Sequence, residues 1–177
     1  MQDVFAGGTD TSTATIEWSM TELMKHPVIM QKVQAEVISA FKGKTSHTVV
    51  GNNVRLTVMI YRSSNECLSM RGHVQLIPNT EPDSLKPERF EKTSVDFMGN
   101  DYQFIPFGSG SRICFGIYFG LRTLELFLAQ MLNNYNWNLP RGLNPSNLDT
   151  TETLTGGVLV VKKDPLHLIP TPYSSVD

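Results

Sequence analysis

Of the side chains in this 177-residue chain, the one best placed to do chemistry is a cysteine. The stretch Phe107-Gly108-Ser109-Gly110-Ser111-Arg112-Ile113-Cys114-Phe115-Gly116 sets Cys114 immediately before a long run of periodic apolar residues. Free backbone N–H groups and the positive end of the helix dipole at such a place stabilise a thiolate. Arg112, two residues earlier, adds a cation that favours the anion or binds a nearby carboxylate. Gly108 and Gly110 permit a backbone tight enough to aim N–H groups at the sulfur, and such bonds tune a ligated metal. Gly116 and Gly120 lie one helical turn apart and leave a flat strip, free of side chains, on which a planar group can rest. Each residue alone also has an ordinary structural reading, since a lone cysteine commonly behaves as a small buried hydrophobe. A phosphate cradle of the Gly-x-Gly-x-x-Gly type is set aside, because Ile113 stands where the third glycine belongs and no second βαβ unit follows.

A second constellation lies near the start, in Gly7-Gly8-Thr9-Asp10-Thr11-Ser12. A carboxylate beside a hydroxyl within a helix opens a groove when the hydroxyl bonds the carbonyl four residues back, and the pair can relay protons to a bound oxygen. On its own the same pair reads as an N-terminal cap.

Together, Phe107-x-x-Gly110-x-Arg112-x-Cys114-x-Gly116 resembles the haem-binding signature of the cytochromes P-450. The resemblance implies haem b as cofactor and Cys114 as the axial ligand to its iron. It further implies that Arg112 pairs with a haem propionate, that Phe107 packs beside the thiolate, and that Gly110 and Gly116 give loop and helix close approach. A cysteine-ligated haem favours O–O cleavage, the chemistry of oxygen insertion. Beside that loop, Gly7 to Ser12 resembles the family's oxygen-activation motif, with Asp10 and Thr11 as the proton-delivery pair. Glu81-Pro-Asp-Ser-Leu-Lys-Pro87-Glu88-Arg89-Phe90 resembles the segment before the haem loop, whose arginine completes a buried ion network with a Glu-x-x-Arg helix. No Glu-x-x-Arg occurs in this chain, so Arg89 lacks its usual partners. The stretches Leu139-Pro140 to Leu148-Asp149, Thr151-Glu152 and Leu168 to Tyr173 resemble the C-terminus of plant members.

The elements that carry these residues follow from the apolar period: Ile16, Met20, Leu23 and Met24 fall at helical spacing, and Pro27 ends that helix or opens the next. Val33, Val37 and Phe41 continue a second amphipathic helix from about Val28. Ile117, Leu121, Leu124, Leu128 and Met131 mark a third, ending near Asn134. Val54 to Tyr61 has strand character. Prolines 82, 87 and 106 make Thr80–Pro106 an irregular connector anchored by Phe90, Phe97, Tyr102, Phe104 and Phe107. Gly157 to Val161, a Lys-Lys-Asp-Pro turn and Leu166 to Ile169 predict a short β-hairpin.

Composition sets the outer limits. With 40% hydrophobic and 18% charged residues the chain is globular in type, and a net charge of -2 argues against a nucleic-acid partner. Cys67 and Cys114 are too few for a disulfide framework, which points to a reduced compartment. His26, His47, His73 and His167 are scattered and read as surface residues. No window reaches the apolar length of a membrane span and no signal peptide opens the chain.

The expected fold class is therefore mainly α with a small β portion, the C-terminal part of the cytochrome P-450 fold in one partial domain, 1–177. Within it, residues 1–44 would be the end of the oxygen-activation helix and the helix after it, 45–78 a divergent or deleted segment, and 79–177 the haem-binding loop, its helix and the hairpin. The expected function is haem-dependent monooxygenation of a lipophilic small molecule in plant secondary metabolism. Electrons would come from NADPH through a flavoprotein reductase. The alternative is a truncated, catalytically inactive remnant, because the missing Glu-x-x-Arg and a start inside the central helix leave out pocket and anchor. Full-length relatives sit on the endoplasmic reticulum membrane, whereas this chain shows no anchor and is expected to be cytoplasmic if it stands alone.

Overall fold

The computed structural model of the chain describes residues 2–42, 98–100, 105–155 and 159–173. Helix α1 (Gln2–Lys25) and helix α2 (Pro27–Phe41) follow one another with only His26 between them. Pro27 explains the break: its ring displaces the preceding residue from helical geometry while its fixed φ suits the first turn of a new helix. His26 accordingly has φ -121 and ψ 73. Its N–H still reaches back to the Glu22 carbonyl at 3.1 Å, and its own carbonyl accepts from the Met30 N–H at 3.0 Å, so the break leaves few orphaned backbone groups.

Helix α3 (Ile117–Asn134) is the third long element, and its apolar period determines how it packs. Ile117, Leu121, Leu124 and Leu128 are buried as the spacing predicts, and the stripe closes on Leu132, with Met131 at its margin. The main core joins all three helices: Met20 and Leu23 from α1, Val33 and Val37 from α2, and Leu128, Ala129 and Leu132 from α3. Each large apolar side chain buried there contributes about 2 kcal/mol of hydrophobic stabilisation. A smaller cluster of Ile117, Leu121 and Leu124 draws in Ile16 of α1 together with Met98, Phe107 and Ile113. That cluster fastens the cysteine loop to two helices.

Four short strands complete the described chain. Strand β1 (Tyr135–Asn138) pairs antiparallel with β4 (Ile169–Pro172), Tyr135 opposite Pro172 and Asn138 opposite Ile169. Strand β2 (Glu152–Thr155) pairs antiparallel with β3 (Leu159–Lys162). The architecture is mainly helical with a small β part, as the sequence implies.

One expectation is overturned. The hairpin predicted between residues 157–161 and 166–169 does not form, because β3 takes β2 as its partner and the later strand pairs with β1. The chain leaving β3 is held on α1 instead of turning back: the Leu166 N–H donates to Glu17 Oε1 at 2.8 Å, and Leu166 and Leu168 pack against the main core. The expectations for Val54–Tyr61, Cys67, His47, His73, Phe90, Phe97, Tyr102, Phe104 and Arg89 lie outside the described residues. His167 is exposed as expected, whereas His26 is partly covered, its Nδ1 lying 2.9 Å from the Glu22 carbonyl.

Candidate functional site

The cysteine loop is shaped by two residues that only glycine tolerates comfortably. Gly108 has φ +73 and Gly110 φ +63, both in the left-handed region. Between Gly110 and Arg112 the backbone makes a 3-10 turn, with the Ile113 N–H reaching the Gly110 carbonyl at 3.2 Å. The Cys114 N–H donates to the Phe107 carbonyl at 2.9 Å and closes the loop on itself. Phe107 is therefore both clasp and anchor, since its side chain sits in the smaller cluster with Ile113 and α3.

Cys114 carries a free thiol that stands exposed, just before the first turn of α3. Gly116 caps that helix with φ -92 and ψ 11, and its N-terminal N–H groups point toward the cysteine end of the helix. A Cβ placed on Gly116 would lie 3.8 Å from Cys114 Sγ, so the glycine keeps the sulfur's flank open. A Cβ on Gly120, one turn further, would meet nothing within 4 Å among the described residues. Arg112 is exposed and pairs with no carboxylate among the described residues, which leaves its guanidinium available. Following the cysteine in sequence, Phe115, Tyr118 and Phe119 are 87%, 70% and 79% exposed. This aromatic surface was missed by sequence reasoning, which concentrated on the buried stripe of the same helix.

Asp10 and Thr11 lie well inside α1 and do not cap its N-terminus. Thr11 Oγ1 donates to the Gly7 carbonyl at 2.5 Å, and Thr9, Ser12, Thr13 and Thr15 make the same bond four residues back. Both side chains are exposed, and Cβ atoms on Gly7 and Gly8 would meet nothing within 4 Å among the described residues. The helix reaches the cysteine loop through Ile16, which packs in the same cluster as Phe107 and Ile113. Ile16 lies five residues past Thr11, about 7.5 Å along the helix axis. The fold thus joins the helix of the acid–hydroxyl pair to the base of the cysteine loop.

Gly99 is a further residue missed in the sequence. It has φ +80, and a Cβ there would come within 2.7 Å of the Gly108 carbonyl oxygen. Its Gly-Asn dipeptide marks a turn but carries no sign of that contact. Among the described residues no cluster of three or more His, Cys, Asp or Glu could hold a metal ion. No described helix is long and apolar enough to cross a membrane.

Residues 1–53 and 80–169 match the sequence profile of the family Cytochrome P-450. Cytochrome P-450 71D13 of Mentha piperita is 40% identical over 204 residues, covering 97% of this chain and 40% of that protein. Premnaspirodiene oxygenase of Hyoscyamus muticus is 38% identical over 203 residues, covering 97% of this chain and 40% of its own length. Dihydroniloticin synthase CYP71CD2 of Melia azedarach is 39% identical over 203 residues, again 97% of this chain and 39% of that protein. The chain thus spans about two fifths of the length of these relatives. The matched spans also exceed its 177 residues, so within them each relative has residues that this chain lacks.

Proposed function

This chain belongs to the cytochrome P-450 family, whose members carry haem b, and from that premise we propose that it is a haem-binding unit of the monooxygenase type, with Cys114 as the ligand to iron. The observation that carries the proposal is an exposed free thiol at the head of α3, beside a helix strip left bare by Gly116 and Gly120. A soft thiolate is the donor this iron chemistry calls for, and among the described residues the space at Gly7, Gly8 and Gly120 is open to a planar group. When bound, the haem would supply activation of molecular oxygen.

The chain's own residues have separate tasks in this reading. The head of α3 carries Cys114 beside its free backbone N–H groups, and Phe107 clamps the loop through the bond from the Cys114 N–H. The exposed Arg112 offers its guanidinium to a carboxylate of the cofactor. Gly110 and Gly116 keep side chains out of the approach. Asp10 and Thr11 hold and pass protons at the carboxylate and at Oγ1, the hydroxyl being free to exchange its bond to Gly7 O for another partner. The substrate class is a lipophilic small molecule and the electron source NADPH through a flavoprotein reductase, at the surface of the endoplasmic reticulum.

A second reading, that the chain holds haem without turning over, is favoured by the residues that its relatives possess and it lacks, and by the absent Glu-x-x-Arg. One preparation tests both. The chain is expressed, supplied with haem and reduced under carbon monoxide, and the strongly red-shifted Soret band of a thiolate-ligated haem is expected. Absence of the band, or its persistence in Cys114→Ala, refutes the thiolate ligand. NADPH consumption with added reductase then separates an oxygenase from a haem holder, and we expect none.

A further inference from the structure

Behind the cysteine loop runs the short stretch Met98-Gly99-Asn100, and its contacts are closer than any side chain would permit. An ideal Cβ on Gly99 would stand 2.7 Å from the Gly108 carbonyl oxygen, 3.1 Å from Ile113 Cδ1 and 3.1 Å from Ser109 Cα. Two of these three are backbone atoms, which cannot swing aside as a flexible side chain does. To reach ordinary contact at 3.4 Å the Gly108 carbonyl would have to retreat by about 0.7 Å. Met98 anchors the same stretch by packing into the cluster that holds Phe107 and Ile113.

The Gly108 carbonyl is a sensitive place to push. Gly108 is the residue at which the loop turns, with φ +73, and its N–H donates to the Ile105 carbonyl at 3.0 Å. One peptide earlier, the Phe107 carbonyl accepts the Cys114 N–H that closes the loop. A displacement at Gly108 is therefore passed through a ring of hydrogen bonds to the sulfur-bearing residue, and packed loops of this kind do not absorb such shifts silently.

We propose that Gly99 is a positioning residue for Cys114, its bare α-carbon forming the back wall against which the Gly108–Ile113 loop is seated. A shift of under 1 Å at a reacting or ligating atom is enough to change its chemistry by large factors. Gly142, outside the cysteine loop, supplies the internal comparison. It too has a left-handed φ, of +90, but a Cβ there would meet nothing within 4 Å among the described residues. Replacing Gly142 imposes the conformational cost alone, whereas replacing Gly99 imposes that cost together with the backbone collision.

The test uses the full chain in a Cys67→Ser background, so that Cys114 is the one thiol, with Gly99→Ala, Gly99→Asn and Gly142→Ala. Two readouts are taken: the rate at which Cys114 reacts with an aromatic disulfide reagent under native conditions, and the thiolate-type carbon monoxide band after haem is added. The first does not depend on the haem reading and the second rests on it. Gly99→Ala is expected to change the thiol reaction rate by at least about fivefold and to cut the band by about tenfold, while Gly142→Ala changes either by less than about twofold. Asparagine adopts left-handed φ readily, so Gly99→Asn matching Gly99→Ala identifies the collision as the cause. Rescue by asparagine, or unchanged values in Gly99→Ala, overturns the proposal. Helical circular dichroism is followed in parallel, and a loss of helix in Gly99→Ala as deep as that in Leu132→Ala would assign Gly99 to general folding and likewise overturn it. If the unsubstituted chain shows no band, the haem reading falls and the thiol rates alone decide the role of Gly99.

Discussion

The first three turns of α1 present a stability deficit with a functional consequence. Gly7 and Gly8 sit inside this helix, and each glycine there costs about 0.8–1.0 kcal/mol relative to alanine. Nothing among the described residues comes within 4 Å of a Cβ built at either position, so alanine fits without strain and its gain is unopposed. The double variant Gly7→Ala/Gly8→Ala is therefore expected to stabilise this end of the helix by about 1.8 kcal/mol, close to a 20-fold shift in the local opening equilibrium. Amide hydrogen exchange at Thr11, Ser12 and Thr13 reads that equilibrium, because these N–H groups bond back to the carbonyls of residues 7 to 9. Their exchange should slow by about the same 20-fold factor, while amides of Leu128 and Leu132 in the core stay unchanged. If the glycines keep open the space that a planar cofactor needs, haem uptake by the same variant falls while the helix gains stability. Exchange slowed by less than about threefold would refute the account of the deficit. Slowed exchange with full haem uptake would refute its link to function.

Further outcomes follow from particular contacts. Leu132 is fully buried where the three helices meet, so Leu132→Ala should cost about 2–5 kcal/mol and lower the thermal midpoint by several degrees. Leu154→Ala, on an exposed strand residue, should change stability by under about 0.5 kcal/mol by the same calorimetry. Asp149 has its carboxyl held below the usual 3.8 by bonds from the Thr151 hydroxyl and N–H, at 2.6 and 2.8 Å. Its contribution is thus present above the unfolded value and lost as pH falls through the native one, and urea midpoints below pH 4 should fall less in Asp149→Ala than in the parent. Lys162 is buried, and desolvation holds its ammonium below the ordinary 10.5 despite the fields of Glu17, Asp149 and Asp164. The unfolded chain then binds more protons between the native value and 10.5, so stability rises with pH through that window. Urea midpoints of the parent measured against Lys162→Met should increase there, and a decrease would refute the assigned cause.

The three helices could be read from the sequence because their apolar residues face one another at a period that only a helix satisfies. Val33, Val37, Leu124 and Leu128 are buried for that reason, and Pro27 breaks the chain where its ring demands. Strand partners could not be read in the same way. Leu166 and Leu168 alternate like a half-buried strand, yet they alternate because one side of that segment lies on the core, held by the bond from the Leu166 N–H to Glu17. A period of two reports a face and carries no information on which neighbour supplies the hydrogen bonds. Lys162 would be placed in solvent by its type. It is buried because the Trp18 ring lies 5.6 Å from its ammonium and the Asp149 carbonyl accepts its proton at 2.6 Å, two contacts from distant parts of the chain.

The tight turn of the loop was legible because residues adjacent in sequence form it, from Phe107 to Gly116, whereas an approach between separated segments, as at Gly99, was obscure. Asp10 and Thr11 fall between these cases. Their types suit a cap as well as a helix interior, and the propensities of Gly7 and Gly8 argue for a helix that starts after them. What decides the matter is a series of side-chain hydroxyls, from Thr9 to Thr15, each bonded to the carbonyl four residues back. In a cap the hydroxyl would accept from an N–H ahead of it, whereas here Thr11 donates to a carbonyl behind it. That direction belongs to a hydroxyl inside a continuous helix and not to one at its start.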